Sequence, residues 1–335
     1  MDVVERLIAE RGATAQLCVL SDGETVCDEA FGTTPDVPFL LFSAGKPFLA
    51  VLVHRLAEQG RLALDDPIAR HWPDFGRRGK HHITVRQVLQ HRSGLPYAHS
   101  LARDALLAPD WRRSTRALAA AAPHFPPGSV PAYHVLSFGF LLGEVVQRVT
   151  GRELREVLRE EIVEPAGLRH TALGAPRRIP LRGAGFGSAA VRQAVFNSRR
   201  FRTAVIPAAT MSGTARDLAR FYQALLDGRL LSRPGLAMAC RPSSDGELDR
   251  VLGLPVRWSQ GFQLGGAGGD PARPRPMGRR SSTRTFGHNG SNTCLGWADP
   301  DRRLVVAYLT NRLQGGLEGS PHLCAVSDAV REACA

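Results

Sequence analysis

Lysine is nearly absent from this 335-residue sequence, although the chain is strongly basic. Lysine and arginine together number 43 and the formal net charge is +12, yet only Lys46 and Lys80 are lysines. The arginines are spread along the whole chain, and no compact basic tract with interleaved aromatic residues occurs, so we expect no nucleic-acid partner. The two positions that keep lysine are informative, because arginine cannot give up its proton in a protein and lysine can.

Long uncharged segments are missing as well. No stretch reaches the roughly 18 apolar residues of a membrane-spanning helix. The first residues, MDVVERLIAERG, carry acidic side chains and lack the basic and then apolar plan of a signal peptide. We therefore expect a cytoplasmic protein that does not associate with membranes. With 43% hydrophobic and 22% charged residues, the composition is that of an ordinary globular protein.

Cysteine occurs six times, but never as CxxC or at metal-ligand spacing. If Asp22-Gly23 forms a two-residue hairpin turn, Cys18 and Cys27 face each other across two strands. In a cytoplasmic protein we nevertheless expect both to be thiols that pack as small hydrophobic residues. His81-His82 has no carboxylate or thiol at ligand spacing, and no GxSxG elbow or GxGxxG or GxxxxGK(S/T) loop occurs. We expect no metal and no cofactor.

The apolar pattern predicts strands near both ends of the chain and helices between them. A helix over residues 3–8 precedes the hairpin TAQLCVL–SDGE–TVCDEAFG, and TCLGWADP with RLVVAYLT forms a second hairpin before a helix that opens at Ser320-Pro321. In the mostly helical middle, Thr214 and Asp217 have capping-box spacing. We therefore predict an α+β fold, in which both termini form one antiparallel sheet with flanking helices and an inserted, mostly helical region.

The same pattern gives the domain boundaries. Residues 1–79 and 209–335 form one composite sheet region, and residues 80–208 form the helical region. The longest loop, LGGAGGDPARPRPMGRRSSTRT over about residues 264–285, is rich in glycine, proline and arginine. A loop of this kind is either a mobile lid or disordered.

The segment LFSAGKPFLAVLVHRLAEQG places a lysine among apolar helix residues. Ser43 and Lys46 are three residues apart, so on a helix they share one face, and Pro47 confines them to its first turn. Burial lowers the pKa of a lysine, and a neutral amine beside a hydroxyl can take its proton, which activates a serine nucleophile. The alternative is a serine cap followed by a lysine that extends into solvent.

Several stretches resemble, in the same order, segments of the serine β-lactamase and penicillin-binding-protein family, nearest its class C-like esterase branch. They span nearly the whole chain and comprise Ser43-Ala44-Gly45-Lys46, ITVRQVLQHRSGLP (83–96), FPPGSVPAYHVLSFGFLLGEVVQRVTG (125–151), EPAGLRHTALG, MSGTARDLARFYQALLDGRLLS and FGHNGSNTCLGWADPDRRLVVAYLTNR. The resemblance implies a two-part fold with Ser43 and Lys46 at the junction of its parts, where pockets commonly form.

The resemblance also implies roles for individual residues. Ser43 corresponds to the acylated nucleophile and Lys46 to its base partner. Tyr133 falls where the family has a tyrosine that shuttles protons to and from the nucleophile and the leaving group. His134, which follows it, is a further candidate for substrate binding.

A second set of implied site residues comes from FGHNG, which takes the place of the family's K-T-G strand. Gly290 lets a substrate pass close to the strand, and the Ser291 N–H completes the oxyanion hole with that of the nucleophile. His288 hydrogen-bonds either the tyrosine or the substrate. Asn289, between His288 and Gly290 in the chain, is a further candidate for substrate binding.

Two departures from the family pattern argue against β-lactam substrates. Val135 stands where many β-lactamases have an asparagine that holds the acylamino side chain, and losing such an anchor costs roughly 10²- to 10⁴-fold in discrimination. His288 replaces a lysine, and histidine is largely neutral at pH 7. We therefore predict a serine acyl hydrolase that takes small-molecule esters, less readily amides, with little or no β-lactamase activity.

The sequence leaves two alternatives open. A transacylase of small-molecule biosynthesis would pass the acyl group to an amine or alcohol, and the residues do not distinguish that acceptor from water. A catalytically silent binding module would keep the fold without needing Ser43, Lys46 and Tyr133 together. The oligomeric state has no signature in the sequence.

Overall fold

The computed structural model of the chain describes residues 2–175, 177–183, 188–266, 275–313 and 319–334. The strands are β1 (Ala15–Ser21), β2 (Glu24–Phe31), β3 (Phe39–Leu40), β4 (Ala172–Leu173), β5 (Arg182–Gly183), β6 (Met211–Gly213), β7 (Leu248–Asp249), β8 (Leu254–Pro255), β9 (Gln263–Leu264), β10 (Phe286–Gly290), β11 (Cys294–Asp299), β12 (Leu304–Thr310) and β13 (Arg312–Leu313).

The α-helices are α1 (Asp2–Glu10), α2 (Lys46–Glu58), α3 (Ile68–His71), α4 (Val85–Leu89), α5 (Leu101–Leu107), α6 (Trp111–Ala120), α7 (Ser137–Thr150), α8 (Leu154–Leu158), α9 (Ser188–Asn197), α10 (Arg199–Thr203), α11 (Ala215–Leu226), α12 (Arg233–Ala239) and α13 (Gly319–Ala333). Short 3-10 turns cover Phe42–Gly45 and Pro73–Gly76, and a π-helical turn covers Arg159–Val163. None of the helices in these described ranges is long and apolar enough to cross a bilayer.

One antiparallel sheet organises the molecule, with strand order β2-β1-β12-β11-β10-β9. Strand β12 pairs with β1 on one side and with β11 on the other, so it joins the N-terminal hairpin to the C-terminal strands. This confirms the predicted α+β fold with a sheet formed by both ends of the chain.

The sheet is buried on both faces. Along β12, Leu304, Val306 and Tyr308 face a core shared with α1 and α13, while the alternate residues face a larger core shared with α2, α7 and α11. Side chains of a strand alternate between faces, so a strand covered on both sides is apolar throughout, as LVVAYLT is.

The N-terminal hairpin corrects the expected position of its cysteines. The turn Asp22-Gly23 forms with positive φ at both residues, as predicted. A register shift at Val19 then places Cys18 opposite Asp28 and Cys27 opposite Val19. A shift by one residue moves a side chain to the other face, so the two thiols lie in different cores and do not face each other. All six cysteines are free.

One other local prediction is met only in part, and another concerns a loop that lies partly outside the described residues. Thr214 caps α11 by accepting a hydrogen bond from the Asp217 N–H at 3.1 Å, but the Asp217 carboxylate accepts from His170 N and Thr171 Oγ1 instead of completing a capping box. The middle of the long loop, residues 267–274, lies outside the described residues. The segment that follows it packs against α13 through Met277.

Candidate active site

The proposed nucleophile lies in a constrained turn. Ser43 is half-buried in the 3-10 turn that leads directly into α2, whose first turn contains Pro47 as predicted. Phe42 has a φ of 48°, in the left-handed region that bulky non-glycine residues rarely adopt and whose strained examples cluster at functional sites. Behind the turn, a Cβ on Gly45 would meet Met211 Cβ at 2.5 Å, so only glycine fits there.

Lys46 is completely buried, and its hydrogen bonds orient its lone pair. Nζ lies 3.0 Å from Ser43 Oγ, 2.9 Å from the Val135 carbonyl oxygen and 3.4 Å from the Ala208 carbonyl oxygen. Burial lowers the pKa of Lys46 well below its usual 10.5, which favours the neutral amine. Because carbonyls only accept, the two amine hydrogens go to Val135 and Ala208. The lone pair is then left to accept the Ser43 hydroxyl proton.

Tyr133 completes this group, as the resemblance implies. The Lys46 Nζ lies 4.8 Å from the centre of its ring. Burial raises the pKa of the Tyr133 phenol above its usual 10, and a hydrogen bond with Ser43 partly offsets that rise. The phenol therefore keeps its proton near neutral pH, beside the hydroxyl that Lys46 can deprotonate.

A buried carboxylate that the sequence reading missed holds Tyr133 in place. Asp249 Oδ1 accepts hydrogen bonds from the backbone N–H groups of Tyr133, Val251 and Leu252 at 3.1, 2.9 and 2.9 Å. Its Oδ2 accepts from Trp258 Nε1 at 3.0 Å, and the Trp258 ring stacks on the Tyr133 ring at 5.1 Å and 3°. One side chain thus fixes both the backbone of the tyrosine and the ring that covers it.

The last residue of β10 lies against the nucleophile turn. A Cβ on Gly290 would meet the Leu41 carbonyl oxygen at 2.1 Å and Cys294 Sγ at 2.4 Å, so the close approach requires glycine. Ser291 follows with a φ of 50° and is half-buried. Asn289 is also half-buried, and its Nδ2 donates to Asn292 Oδ1 at 2.7 Å.

His288 lies beneath this strand end as a neutral ring. Its Nδ1 is 2.6 Å from the Asn289 carbonyl oxygen, so Nδ1 carries the proton and Nε2 is the acceptor. Burial, followed by the neighbouring Lys46, lowers the pKa of His288 to about 3. Nε2 has no partner among the described residues, and the ring lies 6.2 Å from that of Tyr133.

His134 does not join the site, which corrects the expectation of a substrate contact. The residue is completely buried, with Nδ1 2.6 Å from the Ala132 carbonyl oxygen and Nε2 2.5 Å from Ser93 Oγ. Burial lowers its pKa to about 4. Both ring nitrogens are occupied within the protein, so His134 is a core histidine that packs behind the tyrosine.

Among the residues that the structure describes, no three His, Cys, Asp or Glu side chains gather in a way that would hold a metal ion. The group around Ser43 consists of a serine, a buried amine, a phenol and a glycine-lined strand end. These are the parts of a nucleophilic acyl-transfer site.

The family model described as Beta-lactamase matches residues 4–324, nearly the whole chain. The chain belongs to the β-lactamase family. Esterase/beta-lactamase LipL of Mycobacterium tuberculosis is 32% identical to this β-lactamase-family protein, over 91% of this chain and 79% of LipL.

Two solved structures show the same fold. A penicillin-binding protein homologue from Caulobacter crescentus matches with a TM-score of 0.84 and 32% identity, over 99% of this chain and 96% of its own. A family VIII carboxylesterase matches with a TM-score of 0.85 and 27% identity, over 100% and 97% of the two chains. The family and these neighbours indicate that this β-lactamase-family protein is a serine hydrolase.

Proposed function

We propose that the protein is an esterase that cleaves small-molecule esters, and less readily amides, through an acyl-enzyme on Ser43. The observation that carries the proposal is the arrangement around Lys46. Two carbonyls take the hydrogens of a buried amine, and the remaining direction points at Ser43 Oγ, 3.0 Å away. A buried neutral lysine in this geometry is a general base, which no purely structural role requires.

The reaction then runs in two halves. Ser43 Oγ bonds to the ester carbonyl carbon while its proton passes to Lys46 Nζ, and the N–H groups of Ser43 and Ser291 receive the developing oxyanion. When the bond to the leaving alcohol breaks, the Tyr133 phenol gives that oxygen its proton and recovers one from the Lys46 ammonium. Water then attacks the acyl carbon, gives its proton to the same amine, and the carboxylic acid leaves as Ser43 regains its hydrogen.

Incubation with p-nitrophenyl acetate and butyrate, followed by intact-mass measurement, tests the proposal. We expect turnover and an acyl adduct in the wild-type protein and neither in Ser43→Ala. A fluorophosphonate probe should label the wild-type protein and spare the variant. Equal turnover by both proteins, or an unlabelled wild type, would contradict the proposal. An added amine or alcohol identifies the acceptor, since a transacylase would form amide or ester product in place of acid.

We expect little or no β-lactamase activity. Val135 offers a substrate amide only an apolar side chain, since its carbonyl oxygen is taken by Lys46, and His288 carries no charge near pH 7. The kcat/KM for a chromogenic cephalosporin should therefore lie at least about 10²-fold below that for p-nitrophenyl butyrate in the same preparation. Comparable values for the two substrates would show that the acylamino anchor is not needed here.

A further inference from the structure

An arginine of α9 lies at the edge of the site, where the sequence reading assigned none. Arg192 Nη2 donates to Ser291 Oγ at 2.5 Å. Ser291 directly follows Gly290, whose Cα lies against the nucleophile turn closely enough to exclude a side chain. The guanidinium is therefore held one residue away from the strand end that borders Ser43.

A second contact fixes the same face of α9 over the nucleophile. The ring of Phe196 packs edge-on against that of Phe42 at 4.9 Å between centroids, and Phe42 directly precedes Ser43. Arg192 and Phe196 are four residues apart on a helix, so they share one face. That face spans from the turn that contains Ser43 to the turn that contains Ser291, which places Arg192 at the edge of the site.

The guanidinium keeps most of its hydrogen-bonding capacity. Arg192 is half-buried, and within the described ranges the hydrogen bond to Ser291 accounts for one of its five N–H donors, with no carboxylate at ion-pair distance. By contrast Arg257, next to Trp258 in the chain, is paired with Asp245 at 2.7 Å. A half-buried arginine with free donors suits a carboxylate, which it binds with two parallel hydrogen bonds.

We propose that Arg192 binds an anionic substituent of the substrate, so that the preferred substrates are esters that carry a carboxylate. This inference rests on the proposed esterase function and assigns its substrate class. Arg192 acts by binding and takes no part in proton transfer. A cephalosporin also carries a carboxylate, so the expectation of poor cephalosporin turnover then rests on the polar anchor missing at Val135, which this subsite does not replace.

Two matched substrate pairs test the proposal. In the first pair the carboxylate is on the acyl group: the mono-4-nitrophenyl ester of terephthalic acid is anionic, and the 4-nitrophenyl ester of terephthalamic acid is neutral. In the second pair the carboxylate is on the leaving alcohol: 4-acetoxybenzoate is anionic, and 4-acetoxybenzamide is neutral. For each pair, the measured quantity is kcat/KM of the anionic ester divided by kcat/KM of the neutral ester. In one of the two pairs, Arg192→Gln should lower this ratio by about 10-fold or more, mostly by raising KM for the anionic ester. Arg192→Lys should restore part of this ratio.

Arg200→Gln is the matched control, because Arg200 is exposed on the next helix and its replacement removes the same charge. It should leave both ratios unchanged. The pair that responds to Arg192→Gln locates the anion on the acyl or the alcohol side. If Arg192→Gln slows both members of each pair equally, or changes neither ratio, Arg192 only supports the Ser291 turn and the proposal is wrong.

A measurement that does not depend on catalysis separates this proposal from the esterase function. Terephthalamate, which carries one carboxylate, should raise the Tm of the wild-type protein and of Ser43→Ala, and neutral terephthalamide should not. In Arg192→Gln the increase should be lost. An increase that persists in Arg192→Gln would overturn the proposal, whereas failure of the esterase function would appear separately as missing turnover and missing fluorophosphonate label.

Discussion

Replacing Lys46 by methionine is expected to lower kcat/KM for p-nitrophenyl butyrate by about 10²- to 10⁴-fold, the usual contribution of a general base. Methionine fills a similar volume but cannot accept a proton, so Ser43 would have to attack as an unassisted hydroxyl. Acyl-enzyme formation measured by rapid-mixing mass spectrometry should slow by the same factor, because the lost step precedes the adduct.

The same substitution should change how the stability of the fold depends on pH. In the unfolded chain lysine has a pKa of 10.5, and burial lowers the pKa of Lys46 well below that value. Between the two pKa values the unfolded state binds more protons, so wild-type stability rises with pH in that window. The slope is about 1.4 kcal/mol per pH unit for one proton, and the methionine variant lacks it.

The methionine variant also loses the hydrogen bonds that Nζ gives to the Val135 and Ala208 carbonyls, and each carbonyl left unpaired costs about 1–3 kcal/mol. This cost does not depend on pH, so the stability of the variant relative to wild type should fall as the pH rises from 7 towards 10.5. Denaturant unfolding at pH 7 and pH 9.5 measures this change. A stability difference that is the same at pH 7 and pH 9.5 would mean that Lys46 is a buried ammonium with three acceptors.

The second lysine supplies the control for Lys46. Lys80 is also fully buried, and its Nζ donates to the Ala119 carbonyl at 3.1 Å and to the Ala121 carbonyl at the end of α6. It lies outside the group around Ser43, so Lys80→Met should leave kcat/KM unchanged. Loss of activity in both variants would show that the effect at Lys46 is a general consequence of removing a buried lysine.

Replacing Asp249 by asparagine is expected to lower kcat/KM by about 10- to 100-fold, since displacing a catalytic group by about 1 Å costs that much. The side-chain oxygen of the asparagine would keep accepting the hydrogen bonds from the three backbone N–H groups that Asp249 Oδ1 accepts in the wild type. Its NH₂ group would then face Trp258 Nε1, and two donors cannot bond. We therefore expect Trp258 to shift from the Tyr133 ring, with a loss of about 1–3 kcal/mol in the free energy of unfolding.

A double substitution separates positioning from simple destabilisation. Trp258→Phe removes the indole donor and keeps an aromatic ring over Tyr133, so it should recover part of the kcat/KM lost in Asp249→Asn. The recovery should appear in kcat more than in KM, because Tyr133 acts on the reacting atoms. If Trp258→Phe and Asp249→Asn lower kcat/KM independently and their effects add, the Asp249–Trp258 contact does not position the tyrosine.

Local features of the site could be predicted from the sequence where chain geometry alone determines them. The spacing of Ser43 and Lys46 and the place of Pro47 fix one helical turn, and the structure has that turn with Nζ at hydrogen-bonding distance. The sheet from both termini followed from short apolar segments near both ends of the chain, such as LVVAYLT. In each case the residues of one short segment are enough to predict the local structure.

Features that depend on distant segments could not be predicted. His134 is next to Tyr133 in the chain, yet its ring nitrogens bond Ser93 and Ala132, because neighbours in sequence need not point into the same pocket. The support of Tyr133 by Asp249 joins residues 116 positions apart. No local sequence pattern indicates either contact. The register shift near Cys18 likewise depends on how strands β1 and β2 pack against the two cores.

The position of β12 has a consequence for how the protein is made. This strand lies between β1 and β11, so the N-terminal hairpin cannot reach the strand that ends in Gly290 until β12 is in place. Ser43 is synthesised early, but its neighbours on β10 join it only after the chain has been made through Thr310. Pairings between strands so far apart in sequence close slowly. During translation Ser43 is therefore present well before the strand end that packs against its turn in the folded protein, so the proposed site is assembled only when folding is almost finished.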